Sequence, residues 1–270
     1  MLALAHDAAL AAPKPHAPAA LAGHASATTS RPIINLGLPK SGSSSVADFF
    51  ECGGLQTSHW SCGDDLCGAC AKRNVAAGRP ILASCGDYDV WAQIDVTGGT
   101  RSGVQRYSDQ DLCFLPQVTH LRELHEQFPN ALFVLPTRPI EHWLASVNTW
   151  GDMYDRLFEC SLPGLNRQGK SREEQDHLLA QFYYNHTIAV REFMAMRPRQ
   201  MLLEFAIEED ADLVGPHLES VTGFPASCWG KANCAASCRF WEKLEERHRQ
   251  ERMVLPQNLP VPPELGIVTS

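Results

Sequence analysis

Along the chain, short apolar runs alternate with stretches whose apolar residues recur every three or four positions. Ile33-Ile34-Asn35-Leu36 is the first such run, and the segment from Gly37 to Gly42 breaks it. Val46, Phe49 and Phe50 then recur at helical spacing, which predicts a strand, a Gly-rich loop and a helix in succession. Gly53-Gly54 ends that helix, and residues 55–60 read as a second strand. Residues 61–80 read as loop with some helix. Asp89 to Val96 alternates apolar and polar positions and predicts a third strand, followed by a Gly- and Ser-rich loop to Gln110. Pro116 opens a helix that runs to Gln127, with Val118, Leu121 and Leu124 on one face. Ala131 to Leu135 is a continuous apolar run, a strand buried on both faces. A helix from Pro139 to Trp150 follows, then a long amphipathic helix over 171–196 that Pro198 stops. Residues 200–205 form a fifth strand, and 209–221 and 239–252 form the last helices. Strands alternating with helices predict a three-layer α/β fold, a mostly parallel sheet with helices on both faces.

Composition narrows this picture. The 270 residues are 44% hydrophobic and 20% charged, enough apolar surface to bury a core. Residues 1–30 hold twelve alanines and read as an irregular tail, and 255–270 as another, leaving one domain over 31–254. The first tail shows neither the basic start nor the longer apolar stretch of a secretory signal; being acid-poor, it matches a plastid-type transit peptide in part. No run of 18 apolar residues occurs, so no spanning helix is expected. The 23 basic against 31 acidic residues give a net charge of −8, which excludes a general nucleic-acid binder but not a local basic pocket.

Ten cysteines are many for a cytosolic enzyme. Cys62, Cys67 and Cys70 admit a zinc reading with His59, although no second Cys-x-x-Cys follows, and no metal is expected. Cys228, Cys234 and Cys238 read as a short-loop disulfide cluster, which leans toward a secretory lumen over the cytoplasm. Asn185-His186-Thr187 is a formal glycosylation sequon, but it falls inside a helical pattern and reads as unused.

Two segments carry the chemistry. The loop at 37–45 joins a strand to a helix, where backbone N–H groups and the helix N-terminus receive anions. Gly37 and Gly42 keep the glycine spacing of the nucleotide-hydrolase P-loop, but Ser43 stands where that motif has Lys, and Lys40 sits within the loop. Lys40 there is placed to face the bridging oxygen of a leaving group, with Ser43, Ser44 and Ser45 on a terminal 5′-phosphate. The second segment is Arg138, just past the carboxyl end of a buried strand, the edge where open α/β sheets bind ligands. Ser146 follows eight residues later on the next helix. A guanidinium fork and a hydroxyl suit one more phosphate.

Together these segments resemble the sulfotransferases that use 3′-phosphoadenosine-5′-phosphosulfate (PAPS). Pro39-Lys40-Ser41-Gly42-Ser43-Ser44 is similar to their 5′-phosphosulfate loop, and Arg138 with Ser146 to their 3′-phosphate motif. Trp143, and the positions of His59 after the first helix and Asp95 after the next strand, resemble one branch of that family. The resemblance covers about 33–240. It implies a P-loop-type α/β domain and PAPS as co-substrate. It also implies transfer of a sulfuryl group to a hydroxyl acceptor, a small molecule or a glycan. His59 or Asp95 is then the base, and Lys231, within Cys228 to Cys234, stands for the late loop that closes over the donor. Trp60, Trp91 and Trp150 are candidates to line the acceptor. The competing readings are a P-loop kinase or nucleotide hydrolase, against which the displaced Lys40 speaks, and a non-catalytic module that binds a nucleotide or a sulfated ligand.

Overall fold

A computed structural model describes residues 31–98, 113–208 and 211–230. Its centre is a seven-stranded sheet. In chain order the strands are β1 (Ile33–Asn35), β2 (Thr57–His59), β3 (Ser61–Cys62), β4 (Asp65–Leu66), β5 (Val90–Gln93), β6 (Leu132–Thr137) and β7 (Met201–Ala206). Their order across the sheet is β4-β3-β2-β5-β1-β6-β7. The five strands β2, β5, β1, β6 and β7 run parallel, and β3 and β4 add an antiparallel edge.

Alternate residues of β1 divide the core. Ile34 packs with Trp91, Phe133, Leu135, Leu124, Val190 and Met194, which places helices α2 (Cys67–Ala76), α4 (Leu121–Gln127) and α7 (Arg172–Ala195) on one face. Ile33 packs with Phe49, Phe50, Val90, Leu132 and Val214, which places α1 (Ser43–Cys52) and α8 (Ala211–Thr222) on the other. The fold is therefore a three-layer α/β arrangement with a mostly parallel sheet, as the alternating pattern predicts. A third apolar cluster lies beyond the carboxyl ends of the strands. There α5 (Ile140–Thr149), α6 (Met153–Glu159) and α7 pack Trp143, Leu157 and Phe182 around Leu38.

Several elements differ from expectation. The predicted helix over 116–127 breaks into α3 (Pro116–Thr119) and α4 at His120, whose ψ of 33° leaves the helical region. Residues 61–80 form the β3–β4 hairpin and α2, and 153–159, between the two predicted helices and assigned to neither, form α6. The third strand stops at Gln93, so Asp95 lies past its end. The expected tails, the helix over 239–252 and the 97–110 loop beyond residue 98 lie outside the described residues. Asn185 and Thr187 of the sequon are inside α7, and the Thr187 hydroxyl donates to the Tyr183 carbonyl at 3.0 Å.

The cysteine expectations are corrected. Cys62 bonds to Cys67 and Cys70 to Cys85, so none of the three is a zinc-ligating thiolate. Cys228 pairs not within its own cluster but with Cys52, 176 positions away, and Cys113 pairs with Cys160. Cys234 and Cys238 lie outside the described residues. The four disulfides among the described residues fit an oxidising compartment. Among the described residues no helix is long and apolar enough to cross a membrane.

One close approach sets the position of α2. A Cβ added at Gly68 would stand 2.3 Å from the Val96 nitrogen and 2.4 Å from the Asp95 carbonyl carbon, both backbone atoms that cannot step aside. Gly68→Ala is expected to lower stability by ~2 kcal/mol, the scale of overpacking a tight core. A reduced denaturant midpoint with an unchanged slope checks this.

Candidate functional site

The chain leaves β1 toward β2 on one side, and crosses back over β1 to reach β6 on the other. The loops after β1 and β6 therefore face each other at the switch point of the sheet. Asn35 fixes the start of the first loop. Its side-chain oxygen accepts from the Gly37 N–H at 2.8 Å, and its amide donates to the Ala92 carbonyl at 2.8 Å. The loop then turns through Lys40 at φ 71° and Gly42 at φ 97°. A left-handed lysine costs ~1–2 kcal/mol. Two side chains of the β6–α5 segment hold it there. The Trp143 indole donates to the Pro39 carbonyl at 2.9 Å, and Arg138 Nη1 donates to the Lys40 carbonyl at 2.8 Å. With its carbonyls drawn toward α5, the loop leads into α1. Gly42 caps α1 with no side-chain bond, and the first-turn amides of a helix have no intrahelical acceptor.

Cationic groups converge on this loop. Lys40 Nζ lies 3.4 Å from the centroid of the Trp150 ring, a cation–π contact. Burial, with the nearby Arg138 and Arg156 guanidinium groups, pulls the Lys40 ammonium down to about 8. Arg156, on α6, pairs with Asp152 at 2.9 Å. Arg138 is 8% exposed in its side chain and ion-pairs with Glu208. Its backbone is clamped by Tyr183, whose hydroxyl accepts from the Arg138 N–H at 2.9 Å and donates to the Arg138 carbonyl at 3.1 Å.

Beside the cations runs a polar chain. His59 Nε2 lies 3.1 Å from Ser43 Oγ and 3.4 Å from Ser44 Oγ. The Ser43 hydroxyl also reaches the Gln93 side-chain oxygen at 3.4 Å. The Gln93 amide donates to one Asp95 oxygen at 3.0 Å, and the Gln117 amide to the other at 2.7 Å. Burial, opposed by Asp48 and aided by Lys40, holds His59 below its ordinary value, so the imidazole is neutral at neutral pH. Asp95 is 2% exposed, and burial pushes its carboxyl up to about 6 against those two amide donors. The two base candidates are thus separated by environment. His59 faces the loop hydroxyls, and Asp95 stands behind Gln93 with both oxygens engaged.

The structure brings together Pro39, Lys40, Gly42, Ser43, Ser44, His59 and Arg138 from the sequence reading. Ser45 is half-buried on the first turn of α1. Ser41 is buried and lies beside the Tyr183 hydroxyl. Ser146 is half-buried on α5, two turns after Arg138. Lys231 lies outside the described residues. Of the three tryptophans, Trp91 is in the core against Tyr88 and Trp60 packs on the Leu66–Ala69–Val96 cluster, while Trp150, 51% exposed, stands at the loop. The sequence reading missed Gln93, Gln117, Arg156, His142 and Glu208. Glu208 follows the carboxyl end of β7, so the rule that points to Arg138 also points to it.

The chain was compared with protein-family models and with curated protein sequences, and neither comparison found a match.

Proposed function

We propose that the chain is a PAPS-dependent sulfotransferase acting on a hydroxyl acceptor, on a P-loop-type α/β domain. One observation carries this reading. The Arg138 guanidinium reaches the Lys40 carbonyl at 2.8 Å, so the two anion-receiving segments share one crevice. A donor with phosphates at both the 5′ and 3′ positions of one ribose needs two such sites, and ATP does not. Sulfuryl transfer asks little covalent help of a protein; it requires alignment, a base, and positive charge where the leaving phosphate gains it. In this reading Ser43, Ser44, Ser45 and the first-turn amides of α1 receive the 5′ end, and Arg138 and Ser146 receive the 3′-phosphate. Lys40 faces the bridging oxygen, which keeps the electron pair of the broken S–O bond. His59 takes the acceptor proton as the acceptor oxygen bonds to sulfur. Asp95 fixes Gln93 and, through it, Ser43. Trp150 offers an aromatic face beside Lys40, which suits a sugar or phenol acceptor. The four disulfides support residence in a secretory lumen.

Adenosine 3′,5′-bisphosphate at about a hundred times its dissociation constant should stabilise the folded chain by ~2.7 kcal/mol. For a domain of this size that raises the melting temperature by roughly 5–10 °C. ATP with Mg²⁺ should produce no comparable rise. A shift with ATP and none with the bisphosphate would overturn the assignment in favour of a kinase or nucleotide hydrolase.

A further inference from the structure

Arg138 meets Glu208 along the edge of its guanidinium that pairs bidentately with an oxyanion. Nη2 contacts one Glu208 oxygen and Nε the other at 3.3 Å, while Nη1 is turned to the Lys40 carbonyl. The oxygen that Nε meets is also bound by His142 Nδ1. One carboxylate thus fills a fork made by a guanidinium and an imidazole, the shape and charge that such a fork offers to a phosphate. Its source is a short strap leaving the edge strand. The Ile207 N–H donates to the Thr137 carbonyl at 2.8 Å, extending the β6–β7 pairing by one residue. The Ile207 side chain closes on the phosphate loop, where a Cβ at Gly42 would stand 2.9 Å from Ile207 Cδ1. Residues 207–208 therefore lie across both anion-receiving segments.

We propose that Glu208 is a built-in competitor for the second anion subsite, and that Arg138 and His142 together receive a phosphate when its carboxylate swings out. Two oxyanions cannot share the Nε–Nη2 edge, because like charges at contact distance repel and only one can complete the bidentate pair. An anion that binds there must displace Glu208, and its observed affinity is reduced by the fraction of chains in which the carboxylate is still seated. The identity of the displacing anion rests on the donor reading above; the displacement does not. His142 belongs to the subsite because it reaches the same carboxylate oxygen from α5, one turn after Arg138.

Binding of adenosine 3′,5′-bisphosphate, adenosine 5′-monophosphate and inorganic phosphate to the full chain, by calorimetry, tests this. Glu208→Gln keeps the shape and loses the charge; Glu208→Asp is one methylene too short to seat on both Arg138 and His142. In both variants the bisphosphate should bind about tenfold tighter than in the parent, and the monophosphate with unchanged affinity. Adding His142→Ala to Glu208→Gln should weaken the bisphosphate several-fold and leave the monophosphate alone. Unchanged or weaker bisphosphate binding in both Glu208 variants would overturn the proposal and make Glu208 a support for Arg138. If no form of the chain binds the bisphosphate, the donor reading falls, and inorganic phosphate decides the rest. Tighter phosphate binding in Glu208→Gln supports displacement, and equal binding overturns it.

Discussion

Lys40→Ala is expected to slow the proposed sulfuryl transfer by about three orders of magnitude, the scale on which loss of one preorganised charge at a developing oxyanion is felt. The loss should fall on kcat, because charge on the bridging oxygen develops only as the S–O bond breaks. The fold should survive. The Lys40 backbone is held through its carbonyl by Arg138, a contact the substitution leaves in place. Alanine in the left-handed region is strained no more than lysine, so the melting temperature should move little. The parent should also show a bell-shaped dependence of kcat/KM on pH. His59 must be neutral to accept a proton, so activity rises with pH through a value below the ordinary 6.5. Lys40 must be charged, so activity falls as pH passes about 8. A Lys40→Ala enzyme with parental kcat would remove Lys40 from the chemistry, and an alkaline limb near 10.5 would show that burial does not act on the working ammonium.

The second large effect is on stability. His186 is buried on α7 and lies 2.7 Å from the Leu36 carbonyl, to which its neutral ring donates; burial pulls it down to about 4. The unfolded chain keeps the ordinary 6.5. Between those values the unfolded chain binds a proton that the folded one refuses. Stability from this group is whole above 6.5 and lost as pH falls to 4, by about 3 kcal/mol. Asp95 runs the other way. Its folded value is about 6 against 3.8 unfolded. The folded chain holds a proton that the unfolded one releases, so its contribution is whole below 3.8 and lost as pH rises through 6, again by about 3 kcal/mol. As pH falls from 6.5 to 4 the two nearly cancel. Asp95→Asn removes one side of this balance. The difference in unfolding free energy between parent and Asp95→Asn should therefore change by about 3 kcal/mol across that window, in favour of the parent at the acid end. Every other titrating group is common to both chains and drops out of the difference. Parallel curves would show that Asp95 titrates near its ordinary value.

Most of the sheet could be read from local pattern. β1, β6 and β7 follow runs such as Leu132-Phe133-Val134-Leu135, because a strand covered on both faces is apolar at consecutive positions. The two-residue strands β3 and β4 have no period to detect. Helix α6 is two turns long and lies just past Gly151, so its buried Tyr154, Leu157 and Phe158 look like part of a loop. Cys52 belongs to no cysteine cluster, and spacing carries no signal for a partner 176 positions away. In the site, Lys40, the serines and Arg138 are visible because they sit where a strand ends. Gln93, Gln117 and Arg156 are not, since each matters through a neighbour that only folding supplies.

The Cys52–Cys228 bond has a consequence for biosynthesis. Translation proceeds from the amino end, so α1 emerges long before its covalent anchor. The chain must wait for residue 228 to clear the ribosome and meet an oxidant before that helix is secured from behind. In a reducing environment the sheet and α1 still have their apolar contacts, but the C-terminal end of α1 lacks its covalent link to the segment after α8.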